Sequence, residues 1–221
     1  MLRISLDAKA AIKIGDFSRG GLNRVVVKGL DHDFQGKTAK ATPLGIYLPQ
    51  HGELYLYFTA SKMTSDFIVD CFSDFWTQAR ERFPDVKTLV INQDNGPENS
   101  SRRTQFMNRI THFVDQVEIA VQLAYYPPYH SKYNPIERVW GFLEQRWNGS
   151  LLDSLDTILN FASSFSFKGV KPVVQFASRI YQTGVTLTKQ QMASLEHRFQ
   201  RLEGLEKWFV LITPLSATKN V

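Results

Sequence analysis

Residues 86–96 read VKTLVINQDNG. The run from Thr88 to Ile91 is short, almost continuously apolar and rich in β-branched side chains, the pattern of a strand buried at the centre of a sheet. Asp94 lies just past its end, ahead of an Asn-Gly pair that favours a turn. A carboxylate at the C-terminal tip of a buried strand is well placed to face a cleft, where neighbouring elements can bring further groups to meet it.

Upstream, residues 3–14 (RISLDAKAAIKI) begin with alternation: Ile4 and Leu6 fall on one face, Ser5 and Asp7 on the other. That predicts a first strand with Asp7 at or near its middle. A glycine-rich turn at 15–21 and a short strand at 24–27 (RVVV) follow, and residues 28–42 read as a loop. A hairpin is expected from LGIYL (44–48) and ELYLYF (53–58) across the turn at 49–52. Thr64 or Ser65 caps a helix running to about Phe83, with Phe67, Ile68, Cys71, Phe72, Phe75 and Trp76 at helical spacing. Downstream come a helix from about Ser101 to Val114, a strand near 117–123 and a helix from Pro135 to Trp147. Another helix is expected at 153–165, and a last one from 189, capped by Thr188 with Gln191 at the capping-box position. This order predicts a mixed α/β sheet covered by helices: a core over 1–150 and a C-terminal, mainly helical extension of the same domain over 151–221.

Three acids sit at the ends of elements: Asp7, Asp94 and Glu137. Neighbouring strands are about 4.8 Å apart, so carboxylates from two strands and a helix beside them can meet at one point. Converging carboxylates repel each other unless a cation lies between them. Mg²⁺ suits such a set, and a pair of ions can serve phosphodiester chemistry. Each acid also has a plain structural role open to it. Asp7 fits a solvent-facing strand position and Asp94 a turn. With Asn134 as N-cap and Pro135 at the first helical position, Glu137 falls at the N3 site of a capping box.

The string SKYNPIERVWGFLEQ (131–145), after YYPPYH (125–130), resembles the third catalytic motif of DDE transposases of the prokaryotic insertion-sequence and mariner-like kind. In that family an Asn-Pro-x-Glu helix start carries the last acid, here Glu137, followed by a Trp, here Trp140. LVINQDNG (89–96) is similar to the motif bearing the second acid, here Asp94. ISLDAKAAIKIGDFSRGG (4–21) resembles the first strand, with Asp7 as the first acid. YQTGVTLTKQQMASLE (181–196) is similar to the C-terminal part of one bacterial subgroup. The resemblance implies a ribonuclease H-like scaffold with Asp7, Asp94 and Glu137 as catalytic metal ligands. It implies Mg²⁺, with Mn²⁺ able to substitute, and DNA hydrolysis followed by strand transfer. The partners it implies are double-stranded DNA, as transposon ends and target, and an assembly that admits a homodimer. Full-length members carry an N-terminal helix-turn-helix region, whereas this chain starts almost on the first catalytic strand, so an excised or truncated form is expected. A nuclease or resolvase of the same fold that only hydrolyses, and an inactive DNA-binding remnant, are the competing readings.

The charge of +5 and pI near 9.3 fit a polyanionic partner. Arg102, Arg103 and Lys132 are candidates for phosphate contacts, and Tyr129 and His130 for contacts in the aromatic loop. Trp140 and Trp147 share a stripe with Ile136, Val139 and Leu143 and read as core. Cys71 as the sole cysteine excludes a disulfide framework and a cysteine-rich zinc site, which fits a reducing cytoplasm. No run reaches membrane-spanning length. Two further motifs fail on spacing. The Gly-Lys-Thr at 36–38 lacks the four-residue glycine interval of a phosphate loop. The EF-hand start at Asp31, Asp33 and Gly36 has Thr42 where Glu is required.

Overall fold

The computed structural model describes residues 1–17, 39–127 and 130–218. The expected strand at 24–27, the motifs built on Asp31, Asp33 and 36–38, and Tyr129 lie outside the described residues. In chain order the elements are β1 (Leu2–Ala8), β2 (Ile12–Lys13), β3 (Lys40–Leu48), β4 (Glu53–Thr59), α1 (Ser65–Ala79), β5 (Thr88–Gln93), α2 (Thr104–Val117) and β6 (Ala120–Tyr125). They continue with α3 (Pro135–Trp147), α4 (Leu155–Ser164), β7 (Val173–Ala177), α5 (Lys189–Glu196), β8 (Phe199–Arg201) and β9 (Phe209–Ile212).

The strands form one mixed sheet in the order β7-β4-β3-β1-β5-β6-β9-β8, with β2 attached to β3. β5 is central, parallel to β1 on one side and to β6 on the other. β3 runs antiparallel to β1, and β4 antiparallel to β3, closing the expected hairpin. Side chains alternate across a strand, and β1 divides its residues accordingly. Leu2, Ile4 and Leu6 join the apolar layer under α1 and α2. The opposite face packs Tyr47, Leu54, Leu56 and Phe58 against α3 and α4. It is on this second face that Ser5 and Asp7 emerge.

Local signals set several boundaries. The Thr64 side chain accepts from Phe67 N–H and starts α1. α5 has the full capping box between Thr188 and Gln191. α2 begins later than expected because Arg103 is still extended, at φ −73° and ψ 105°, and ends at Val117, where Glu118 adopts a left-handed φ of 55°. That late end moves β6 to Ala120. β3 starts at Lys40, inside what read as a loop. The larger difference is C-terminal. Beside the helices α4, α5 and a short last one at Leu215–Thr218, the chain after 151 also supplies three short strands that the sequence pattern does not predict. β7 adds to β4 in parallel at one edge, and β9 with β8 extends the sheet from β6 at the other. Among the described residues no helix is long and apolar enough to cross a membrane.

Candidate active site

Asp7 and Asp94 come together through strand register. The parallel pairing of β1 with β5 sets Ser5 beside Asn92. Continued by two residues, that register brings Asp7 level with Asp94 at the C-terminal edge of the sheet. Asp7 is thus near the end of its strand rather than its middle. Both acids line one pocket of about 170 Å³ with Glu98, Asn99, Met63 and Ile68. Asp94 is held by Asn99, whose Nδ2–H donates to Oδ1 at 3.1 Å and to the Asp94 carbonyl at 3.2 Å. Asn99 is itself fixed by Tyr125, whose hydroxyl donates to its carbonyl at 2.8 Å. Gly96 makes this turn feasible: a Cβ there would lie 2.9 Å from Asn99 Oδ1 and 3.2 Å from Asp94 Oδ2.

The third acid arrives on α3, and the docking of α3 differs from the capping-box expectation. Asn134 is the N-cap residue, but its side chain makes no capping bond. It reaches across to β1, where its Nδ2–H donates to the Leu6 carbonyl at 3.1 Å and its Oδ1 accepts from the Ser5 hydroxyl. Ser5 in turn accepts from the Ile136 N–H at 3.0 Å. A strand hydroxyl from far away in sequence therefore satisfies one of the free donors that every helix start exposes. The backbone of Glu137 bonds to Asn134, while its carboxylate takes no part in capping.

One turn further along α3, the Trp140 indole N–H donates to Asp7 Oδ2 at 2.7 Å. Trp140 is 4% exposed and packs as the stripe predicts, but its polar end is a partner of the first acid. This approach depends on Gly45, the residue paired with Asp7 across β1 and β3. A Cβ at Gly45 would sit 2.8 Å from both Ile136 Cδ1 and the Trp140 ring. Gly45→Ala is expected to cost about 1–3 kcal/mol by overpacking and to shift Trp140 away from Asp7. Urea denaturation together with tryptophan fluorescence checks both effects, and wild-type stability with an unchanged spectrum would refute them.

Burial is the largest influence on Asp7, and it pushes the carboxyl up to about 7. The Trp140 hydrogen bond and the Ala8 backbone act in the opposite direction, while the charges of Glu137 and then Asp94 raise it further. The charges of Glu137 and Asp94 thus both reach Asp7. Among the described residues, no three acidic, histidine or cysteine side chains form a cluster tight enough to hold an ion as they stand. In kind, the donor set still fits a hard divalent cation: carboxylates only, with no thiol or imidazole. Asp7 is buried against two like charges and has no cationic partner among the described residues.

The other expected contacts are dispersed. Arg103 is paired with Glu98 at 3.4 Å, next to the acid pocket. Arg102 is exposed and lines a different cleft with Arg201, Glu206 and Lys207. Lys132 lies over the Tyr133 ring, and His130 stacks on the same ring with centroids 5.8 Å apart. Tyr125 is buried behind the site. Glu144 accepts from the Trp147 indole at 2.7 Å and pairs with Lys9 at 2.8 Å, as a structural acid would. Ser5, Gly45 and Asn99 are not legible as site residues from sequence, since nothing local marks them.

The central parallel strands, the antiparallel hairpin beside them and helices on both faces define a mixed α/β domain of ribonuclease H-like architecture, with Asp7 and Asp94 lining one pocket. The model of the family described as the Rhodopirellula transposase DDE domain matches residues 2–214, and the chain belongs to that family. Among solved structures, the chain resembles a Mos1 transposase paired-end complex with left transposon end, at TM-score 0.50 and 8% identity. That likeness covers 72% of this chain and 46% of the other, so this chain spans less than half the length of that transposase, and at such identity it speaks for the fold alone. No curated protein matches the chain significantly.

Proposed function

We propose that the chain is the catalytic domain of a DNA transposase, with Asp7, Asp94 and Glu137 as the acids that hold Mg²⁺ or Mn²⁺. The reaction is hydrolysis of phosphodiester bonds at transposon ends, followed by attack of the freed 3′-OH on target DNA. The observation that carries this reading is the buried Asp7 carboxyl, set against the charges of Asp94 and Glu137 with no cationic side chain beside it among the described residues. Such an arrangement is costly in a resting fold and useful in a metal site. Family membership and the fold likeness to a transposase bound to a transposon end support the same reading.

When bound, the divalent ion supplies activation of the attacking oxygen and stabilisation of the leaving one. The chain's own residues orient the ligands. Trp140 engages Asp7 Oδ2, and Asn99 engages Asp94 Oδ1. Ser5 and Asn134 fix the start of α3, which sets where Glu137 enters. Arg102, Lys132 and His130 are assigned to contacts with the DNA beyond the acids, where exposed basic groups serve phosphate binding.

Metal linkage tests the assignment without needing turnover. A ligand present at about a hundredfold over its Kd stabilises the native state by about 2.7 kcal/mol, which for a chain of this size is roughly 5–10 °C in Tm. Mg²⁺ or Mn²⁺ is expected to raise Tm in this way, and Asp94→Asn to remove most of the rise. Equal stabilisation of wild type and Asp94→Asn would place the ions elsewhere and end the assignment.

A further inference from the structure

Beside the acid pocket lies a second, larger cleft of about 630 Å³, lined by Ala11, Lys40, Thr42, Ser61, Lys62 and Ile180 among others. It is on the same edge of the sheet as the acids. β3 runs antiparallel to β1, so Lys40 and Thr42 at its start lie near the end of β1, and Ser61 and Lys62 follow the end of β4. Ile180 follows the end of β7, which is parallel to β4. Met63 lines both clefts, so they adjoin.

The chemistry changes sharply across Met63. The acid pocket carries Asp7, Asp94 and Glu98, whereas no acid is among the described residues lining the larger cleft. Lys40 and Lys62 are exposed, and neither forms an ion pair among the described residues. Lys40 also stands directly opposite Lys13 in the β2–β3 pairing. Ser61 Oγ accepts from Tyr181 N–H at 2.9 Å, which leaves its O–H to donate to a phosphate oxygen. The lining also carries apolar side chains, among them Ile180, which is 88% exposed. Exposed lysines beside a protruding apolar side chain suit a strand whose bases are unpaired: phosphates meet lysines, and a base or deoxyribose packs on the isoleucine.

We propose that this cleft binds a single strand of DNA flanking the scissile phosphate, with Lys40 and Lys62 on its backbone and Ile180 against an unstacked nucleotide. The inference rests on the reading of the adjoining acids as the catalytic site.

The test is binding, not cleavage, so that the two readings fail separately. The probe is a fluorescently labelled single-stranded oligonucleotide, titrated with the full chain in EDTA at several salt concentrations and followed by anisotropy. The double variant Lys40→Ala/Lys62→Ala is expected to bind roughly tenfold more weakly at low salt. Its slope of log affinity against log salt should fall by about 1.4, the share of two phosphate contacts on a single strand. The control is Lys171→Ala/Lys189→Ala, which removes the same charge from exposed positions outside the cleft. Ile180→Ala should weaken binding with the slope unchanged, because no charge is lost. Asp7→Asn should bind the oligonucleotide at least as well as wild type. Equal losses in the cleft and control double variants would reduce the effect to net charge and overturn the proposal, as would wild-type affinity and slope in Lys40→Ala/Lys62→Ala. If instead the cleft variants behave as expected while acid variants still cleave DNA, the cleft stands and the catalytic assignment falls.

Discussion

Glu137→Gln is expected to fold like wild type and to lose metal-dependent DNA cleavage by on the order of 10²–10³-fold, the scale on which removing one charge-stabilising group acts. The structure separates the two roles open to this residue. As a capping-box member its side chain would bond back to the helix start, and Gln would serve as well as Glu. α3 shows no such bond, and Ser5 accepts from the Ile136 N–H where the side chain of an N-cap residue would. The substitution therefore removes no cap. Its cost in stability is confined to the favourable interaction of a negative charge with a helix N-terminus, about 0.3–1 kcal/mol. The charge that would hold a cation is lost completely, since an amide keeps the shape of the carboxylate without its affinity for a hard ion. Ser5→Ala is the complementary change. It strips a cap and leaves Asn134 without its hydroxyl donor at a site 1% exposed, so a loss of about 1–2 kcal/mol is expected. Nicking of plasmid DNA in Mg²⁺ or Mn²⁺, read beside urea melts, checks both variants. Full nicking by Glu137→Gln would remove it from the site. Glu137→Asp retains charge but withdraws it by one methylene, so a partial loss of activity with metal stabilisation retained is expected.

The contrast between Ser5 and Glu137 shows what sequence could and could not convey. Asp94 is legible because its signal is local: an apolar strand that ends in Asp-Asn-Gly. α3 is legible from Asn-Pro at its start and an apolar stripe behind it, and its bounds agree from Pro135 to Trp147. How α3 attaches to the sheet is not legible. The contacts of Asn134 with Leu6 and of Ile136 with Ser5 join residues more than a hundred positions apart. Gly45 is informative only once Trp140 is known to lie over it, because a glycine in a strand can equally mark a bulge or a bend. Trp140 itself shows the limit of periodicity: spacing reports that the ring is buried, and cannot report where its N–H points. β7, β8 and β9 escape the sequence for a related reason. At five, three and four residues they are too short to show alternation, and β4 and β6 supply the pairing that makes them strands.

In the absence of divalent cations, the protein is expected to lose stability as pH rises from about 4 to about 7, and Asp7→Asn to abolish most of that loss. The sign follows from where the proton is held. The Asp7 carboxyl is raised from 3.8 to about 7 in the fold, chiefly by burial and then by the Glu137 and Asp94 charges. Below pH 4 both folded and unfolded chains keep this proton, and its full contribution to stability is present. Between those values the unfolded chain releases the proton while the folded chain retains it, so unfolding is increasingly favoured. By pH 8 the accumulated loss from this one group is on the order of 4 kcal/mol. Asn at this position keeps an oxygen for the Trp140 indole and carries no charge to bury, so Asp7→Asn is expected to be more stable than wild type at pH 8 and inactive. Such an exchange of stability for function is common where a site holds an ionisable group under strain. Divalent cations should reverse the trend, because an ion binds the deprotonated carboxylate and its stabilisation grows with pH. Urea melts of wild type and Asp7→Asn from pH 5 to 8, in EDTA and in Mg²⁺, read the difference directly, with titrations common to both chains cancelling. Parallel profiles in EDTA would mean that Asp7 ionises in the fold as it does in the unfolded chain, and the buried, cation-seeking carboxylate on which the metal assignment depends would be absent.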